Sequence, residues 1–301
     1  MNIGVIGLGL IGGSMARDLR AAGIATRVIG VDRNPAHGER ALALGLVDGL
    51  ATLEEAATSA DVLLVCIPVN AIQAQLTSIM DLTTRAVVID TGSTKSLICS
   101  AVREHPARER FVAAHPIAGT ENSGPDAAIA GLFAGKVNII CEPERSSSKA
   151  MEVARLIFDT LKMKTTFMDP DDHDKHVAYV SHLSHVSSFL LGQTVLDIEK
   201  DEKNIFTLAG SGFASTVRLA KSSPDMWAPI FEQNATFLTR ALEQYIGHLQ
   251  RFHQCLVNRE TTQMHEILSR ANEIRRVLSG IELNQQRNNS QPASIQTEYK
   301  P

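Results

Sequence analysis

The sequence predicts an α/β protein, with a doubly wound, mostly parallel sheet in its N-terminal part and an all-helical domain after it. Three observations lead there. Short apolar runs alternate with helical stretches, a glycine-rich turn joins the first run to the first helix, and the strand pattern stops after "KTTFMDPDD".

In chain order, "NIGVIG" opens as a strand, "LIGGSMARDLRAA" is a helix ended by Gly23, and "RVIGVD" is a second strand. The series continues with "DVLLVCIP" at 61–68, "AVVID" at 86–90, "FVAAH" at 111–115 and "KVNIIC" at 136–141. These runs are apolar throughout, without polar alternation, so both sheet faces must be covered, as parallel strands require. Asp169-Pro170 then reads as a helix start, with proline at the first helical position. From Pro229, Phe231, Ala235, Leu238, Leu242, Tyr245, Leu249, Phe252 and Leu256 recur at spacings of four and three. Met264, Ile267, Leu268, Ala271, Ile274 and Leu278 carry the theme onto a second helix. A helical domain with so long an apolar seam pairs with a second copy of itself or closes as an intramolecular bundle. The last stretch, "NQQRNNSQPASIQTEYKP", has almost nothing to bury and reads as a disordered tail. The expected organisation is a nucleotide-binding domain over 1–168, a helical substrate and dimerisation domain over 169–284, and a tail over 285–301.

Composition narrows the partners. With 44% hydrophobic and 21% charged residues and a net charge of −4, no global basic field exists to hold nucleic acid or an anionic membrane, so the expected ligand is a small molecule. Cys66, Cys99, Cys141 and Cys255 form no CxxC pair and read as reduced thiols. The chain opens directly on a strand and has no apolar run of membrane-spanning length, so a cytoplasmic protein is expected.

Gly7-Leu8-Gly9-Leu10-Ile11-Gly12 sits where the first strand enters the first helix. The first glycine permits the tight turn, the second lets a pyrophosphate approach the backbone, and the third lets helix and strand pack closely. Leu10 and Ile11 open the helix whose N-terminus meets the phosphate charge. Asp32, twenty residues beyond Gly12, is placed to bind ribose hydroxyls and to repel a 2′-phosphate, which favours NAD over NADP; Arg33 beside it softens that preference. This is a Rossmann-type signature.

In such sheets ligands bind beyond the carboxyl ends of the strands. His115 ends "FVAAH" and Thr91-Gly92-Ser93 follows "AVVID", so both converge beside the expected cofactor. A neutral histidine there can take a hydroxyl proton as hydride leaves the same carbon. The bland alternative is a histidine bonded to a loop carbonyl. In the helical half, His173, His176, His182 and His185 lie close to Asp171, Asp172 and Asp174. Their spacing matches neither HExxH nor a finger pattern, which favours a substrate site over a metal, with a solvated surface as the third reading. His182 and His185 share one helical face. Arg218 follows a glycine-rich segment and suits a carboxylate, or else a surface ion pair.

The motifs "GLGLIGGS", "DTGSTK", "HPIAGTE", "DDHD", "SHLSH" and "GF..TVR", in this order, resemble the prephenate and arogenate dehydrogenase family over about residues 1–280. The resemblance implies an N-terminal NAD domain, a helical dimerisation domain and a site between them. It implies that His115 bonds the ring hydroxyl of prephenate and helps remove its proton, with Ser93 holding the same hydroxyl. Arg218 resembles the family's carboxylate-binding arginine; His182 and His185 line the pocket, Glu121 stands at its mouth, and His173 and Trp227 lie nearby. The second histidine of SHLxH, His185, favours prephenate over arogenate. The chain departs from the pattern at Ser184, where proline is usual, and at Ala214 and Ser215, where a charged pair is common, so any charge that pair gives the pocket is either absent or supplied from elsewhere, as by Lys221. No fused chorismate mutase or added regulatory domain is expected, so feedback by tyrosine would act at or near the active site. Three alternatives remain open: an arogenate or dual cyclohexadienyl dehydrogenase, a β-hydroxyacid dehydrogenase with a catalytic lysine, and an NAD-sensing module.

Overall fold

The computed structural model describes residues 1–200 and 204–280; the expected tail over 285–301 lies outside the described residues. Eight strands form one sheet: β1 (Asn2–Ile6), β2 (Arg27–Val31), β3 (Gly49–Leu50), β4 (Val62–Val65), β5 (Val87–Asp90), β6 (Phe111–Pro116), β7 (Val137–Cys141) and β8 (Lys164–Met168). Their spatial order is β3-β2-β1-β4-β5-β6-β7-β8. All neighbours pair in parallel except β6 with β7, so the expected mostly parallel sheet is present.

The helices are α1 (Leu10–Ala21), α2 (Pro35–Ala43), α3 (Leu53–Ser59), α4 (Val69–Leu82), α5 (Ser96–Ala101) and α6 (Ser148–Thr160). They are followed by α7 (Pro170–Val177), α8 (Leu183–Glu199), α9 (Ser211–Thr216), α10 (Pro224–Gln233), α11 (Ala235–Val257) and α12 (Thr261–Ala271).

Side chains alternate across each strand, and that alternation divides the core into two layers. Val62 and Leu64 join Ile3, Val5, Met15, Leu19 and Phe158 on the face covered by α1 and α6. Leu63 and Val65 join Ile72, Leu76, Phe111 and Ala113 on the face covered by α3 and α4. Trp227 and Ile230 of α10 belong to that second layer, and this helix packs against α4.

By compactness the chain divides into Met1–Leu238 and Thr239–Pro301. In the first unit, α7 begins where Asp169-Pro170 suggested, because the Asp169 carboxylate accepts the N–H groups of Asp171 at 2.8 Å and Asp172 at 3.3 Å. A wider π-type turn over Ala178–His182 separates α7 from α8. In the second unit, Leu249, Leu256, Ile267, Leu268 and Ile274 keep their side chains exposed.

The apolar stripe traced from Pro229 is not one helix. It breaks at Asn234, a buried residue between α10 and α11 whose side-chain amide bonds the Asp174 carbonyl at 2.7 Å. Among the described residues, no helix is long and apolar enough to cross a membrane.

Candidate active site

The site is assembled where the strands end. Gly7 adopts φ +95°, and a side chain there would meet the Cys66 carbonyl, so only glycine makes this turn. A Cβ on Gly12 would run into the Gly7 carbonyl oxygen, whereas one on Gly9 would meet nothing within 4 Å. The backbone is therefore tight on the helix side and open on the outer side. No side chain among the described residues caps α1 at Gly9, leaving the first N–H groups at Leu10 and Ile11 available to an anion. Asp32 stands just past β2; its carboxylate accepts the Leu8 N–H at 2.9 Å and the Asn34 N–H at 2.8 Å. Arg33 is exposed beside it. An open glycine cradle, an uncapped helix end and an anchored carboxylate fit a dinucleotide.

On the neighbouring strands, β5 and β6 align Asp90 with Ala113, which brings the Thr91-Gly92-Ser93 turn beside the end of β6, where His115 sits. Both Ser93 and His115 are partly buried. His115 Nδ1 lies 2.8 Å from Nε2 of His173, and His173 Nδ1 lies 2.7 Å from Oδ1 of Asp174. His173 is fully enclosed. Asp174 also accepts the N–H of Lys95 at 2.7 Å and of Ser96 at 2.9 Å.

Beneath His115 lies an ion pair of two fully buried groups, Lys95 and Asp90. The Lys95 ammonium also donates to the Ala114 carbonyl at 2.7 Å, and Asp90 accepts the Ala114 N–H at 3.1 Å. Burying two charges is costly, and it is tolerated here because both are also hydrogen-bonded. The pair pins the residue that precedes His115.

His182 is buried, with Nδ1 2.9 Å from the Asn234 amide nitrogen. His185 stacks on Trp227 with ring centroids 3.5 Å apart, and its Nδ1 lies 3.0 Å from the Ser181 carbonyl. His182 meets the same indole edge-on at 5.9 Å, so the two histidines do share one partner. The Trp227 indole nitrogen is buried without a hydrogen-bond partner among the described residues. Arg218 is exposed and reaches Glu121 at 3.2 Å. His176 points outward near Met168, away from the other three histidines of its segment. Among the described residues no group of three or more His, Cys, Asp or Glu is placed to hold a metal ion.

Electrostatics follow burial. Desolvation holds His115 well below the usual histidine range, and His173, Lys95 and His182 push the same way. Burial also lowers His182 to about 4 and depresses His173 and His185. Burial opposes ionisation of Asp174, but the hydrogen bonds from His173 and from the Ser96 and Lys95 backbone outweigh it and hold the carboxyl below its ordinary value. The site therefore offers neutral imidazoles beside an ionised, enclosed carboxylate.

Two family models cover most of this chain. Residues 15–167 match the nucleotide-binding domain of prephenate dehydrogenase, and residues 169–270 match its dimerization domain. The chain belongs to the prephenate dehydrogenase family. Within the family it is 29% identical over 262 residues to a cyclohexadienyl dehydrogenase from Zymomonas mobilis, spanning 86% of this chain and 89% of the relative. Among solved structures, the prephenate dehydrogenase of A. aeolicus in complex with hydroxyphenyl propionate and NAD+ superposes with a TM-score of 0.83 at 28% identity, covering 92% of this chain and 98% of that one. The Synechocystis arogenate dehydrogenase gives 0.71 at 29% identity, covering 92% and 100%. Members of this family so similar to the chain carry three different substrate names.

Sequence reasoning did not select Asp90, Lys95, Asp174 or Asn234. "DTGSTK" and "DDHD" hold the three charged ones, but a charge in a sequence reads first as surface, and only the fold shows these three enclosed.

Proposed function

We propose that this chain is an NAD-dependent prephenate dehydrogenase, converting prephenate to 4-hydroxyphenylpyruvate and carbon dioxide as a step toward tyrosine. The observation that carries the reading is His115: a partly buried imidazole held neutral at the carboxyl end of β6, on the same edge of the parallel sheet as the glycine turn that follows β1, with Ser93 on the adjacent strand end.

In this reading the first-turn N–H groups of α1 and the glycines at 7, 9 and 12 hold the pyrophosphate of NAD, and Asp32 takes the ribose hydroxyls. The nicotinamide, when bound, supplies the hydride acceptor at C4. His115 accepts the proton of the substrate ring hydroxyl as the hydrogen on the same carbon departs with its electron pair, and Ser93 orients that hydroxyl. The ring carboxylate is then lost as carbon dioxide, and its bonding electrons restore the aromatic ring. Arg218 holds the side-chain carboxylate by charge-assisted hydrogen bonds, while His185 and Trp227 form one wall of the pocket with His182 behind them. Glu121, paired with Arg218, stands at the mouth. The matched dimerization domain and the exposed apolar side chains of α8, α11 and α12 support a homodimer.

A second reading, arogenate as substrate, is favoured by the Glu121 carboxylate beside Arg218, which would suit an ammonium in place of the keto group. Parallel assays decide. NADH formation is measured with prephenate and arogenate, each with NAD and NADP, on wild type and His115→Asn. Turnover with prephenate and NAD that collapses in His115→Asn is expected; preference for arogenate selects the second reading, and activity retained in the variant removes His115 as the base.

A further inference from the structure

A neutral imidazole has one N–H and one lone pair, and its partners decide which nitrogen carries which. Around His115 those partners form a chain with a fixed end. The Asp174 carboxyl is held in its ionised form and can only accept. Its Oδ1 takes the Lys95 N–H and its Oδ2 the Ser96 N–H, so the carboxylate is anchored on the N-cap and first residue of α5 and cannot turn away. His173 Nδ1, 2.7 Å from Oδ1, must therefore carry a hydrogen. Burial keeps His173 neutral, so its Nε2 is a lone pair. His115 Nδ1, 2.8 Å from that lone pair, must in turn be the donor. One nitrogen of His115 is left, Nε2, and it has no hydrogen-bond partner among the described residues. It is the lone pair.

The geometry points to Asp174 and His173 as positioning residues: a buried carboxylate–imidazole relay that holds His115 in its Nδ1–H tautomer and presents Nε2 as the acceptor for the substrate hydroxyl proton. The inference rests on His115 being the base. It moves His173 from a place near the pocket to the interior of the machinery, in keeping with its complete enclosure. The proton count closes simply. When Nε2 of His115 takes the substrate proton, its Nδ1–H stays on His173 and the His173 Nδ1–H stays on Asp174. The new positive charge faces a carboxylate through one intervening ring, and no second proton has to move. The proton leaves from Nε2 after product departs. The other charged or titratable groups facing His115 are Lys95, which is paired with Asp90 yet still opposes a positive charge on His115, and His182, whose Nδ1 is occupied by Asn234.

The relay has two independent tests on the full chain. In protein carrying 15N-histidine, with the His115 signals assigned by their loss in His115→Asn, wild type near neutral pH is expected to show protonated Nδ1 and unprotonated Nε2. In Asp174→Asn the amide can donate to His173 and reverse both tautomers, so His115 is expected to shift toward Nε2–H, with kcat lowered by about 100-fold and KM little changed. His173→Gln keeps an acceptor for the His115 Nδ1–H and is expected to retain more turnover than His173→Phe, which has none. A wild-type His115 protonated on Nε2 overturns the relay, as does an Asp174→Asn variant with unchanged tautomer and kcat, or equal rates for the two His173 variants. Should Asp174→Asn not fold, the wild-type tautomer and the His173 pair decide alone. Turnover surviving in His115→Asn would instead remove the proposed base, a result separate from the tautomer.

Discussion

The Arg218 guanidinium lies 3.2 Å from the Glu121 carboxylate, across 97 residues of chain, and more than half of the arginine side chain remains exposed. An exposed pair of this kind contributes little to stability. If Arg218 holds the substrate carboxylate as proposed, the consequence is competition, because the incoming carboxylate must displace Glu121 or share the guanidinium with it. Arg218→Ala is expected to raise KM by roughly ten- to hundredfold, the range of a charge-assisted hydrogen bond, with kcat nearly unchanged. Glu121→Gln is expected to lower KM for a dianionic substrate, most visibly at low ionic strength. Steady-state kinetics at two salt concentrations check both, and a fall in kcat without a rise in KM for Arg218→Ala would remove the anchor.

In the proposed mechanism the neutral form of His115 is the one that accepts a proton. Burial, reinforced by His173, Lys95 and His182, holds its pKa well below 6.5. Protonation therefore extinguishes the base only in more acidic solution, and the acid limb of kcat/KM for the free enzyme is expected below pH 6.5. A pH profile of kcat/KM locates it; a limb centred at or above 6.5 contradicts the site electrostatics.

The same burial makes folding depend on pH. His182 is depressed to about 4, and His173 and His185 are depressed as well, with desolvation the first cause in each. The unfolded chain then binds more protons than the folded one between these values and 6.5. Stability is thus fully present above about pH 6.5 and is lost as pH falls toward about 4. Tm measured across that window should decline steadily, and His182→Gln should flatten the decline; a Tm constant from pH 7 to 4 would exclude it.

The fold was legible wherever burial leaves a pattern. Val62–Val65 reads as strand because both of its faces are covered, and Asp169-Pro170 reads as a helix start because the cap is local. β3 has only two residues, Gly49 and Leu50, too few to carry any pattern. The break at Asn234 was hidden because its cause is tertiary: the amide is drawn toward Asp174 and His182, which lie 60 and 52 residues away. The site was half legible for the same reason. His115, Ser93 and the glycines are placed by strand ends, which sequence locates. The enclosure of Lys95, Asp90 and Asp174 depends on three elements meeting, and the π-type turn that carries His182 inward has no sequence signature in "AYVSH".

The glycine turn makes the sharpest contrast between folding and binding. A methyl group at position 12 would strike the Gly7 carbonyl oxygen and lie 2.9 Å from Val5 Cγ1, so α1 would have to move off β1. Gly12→Ala is therefore expected to lower Tm and to weaken dinucleotide binding together. Position 9 differs in kind. Its φ of −85° suits any residue, and an added Cβ meets nothing within 4 Å, so Gly9→Ala is expected to leave Tm unchanged. Only a bound pyrophosphate, brought close to the backbone and to the N–H groups of α1, would meet that methyl. Gly9→Ala should then raise the Kd for NAD on the order of tenfold, about 1.4 kcal/mol, while the folded protein is otherwise unaltered. Calorimetric titration of NAD alongside thermal melts of both variants separates the cases. If Gly9→Ala binds NAD as wild type does, the pyrophosphate does not cross this turn, and the roles given to Gly9, Leu10 and Ile11 fail with it.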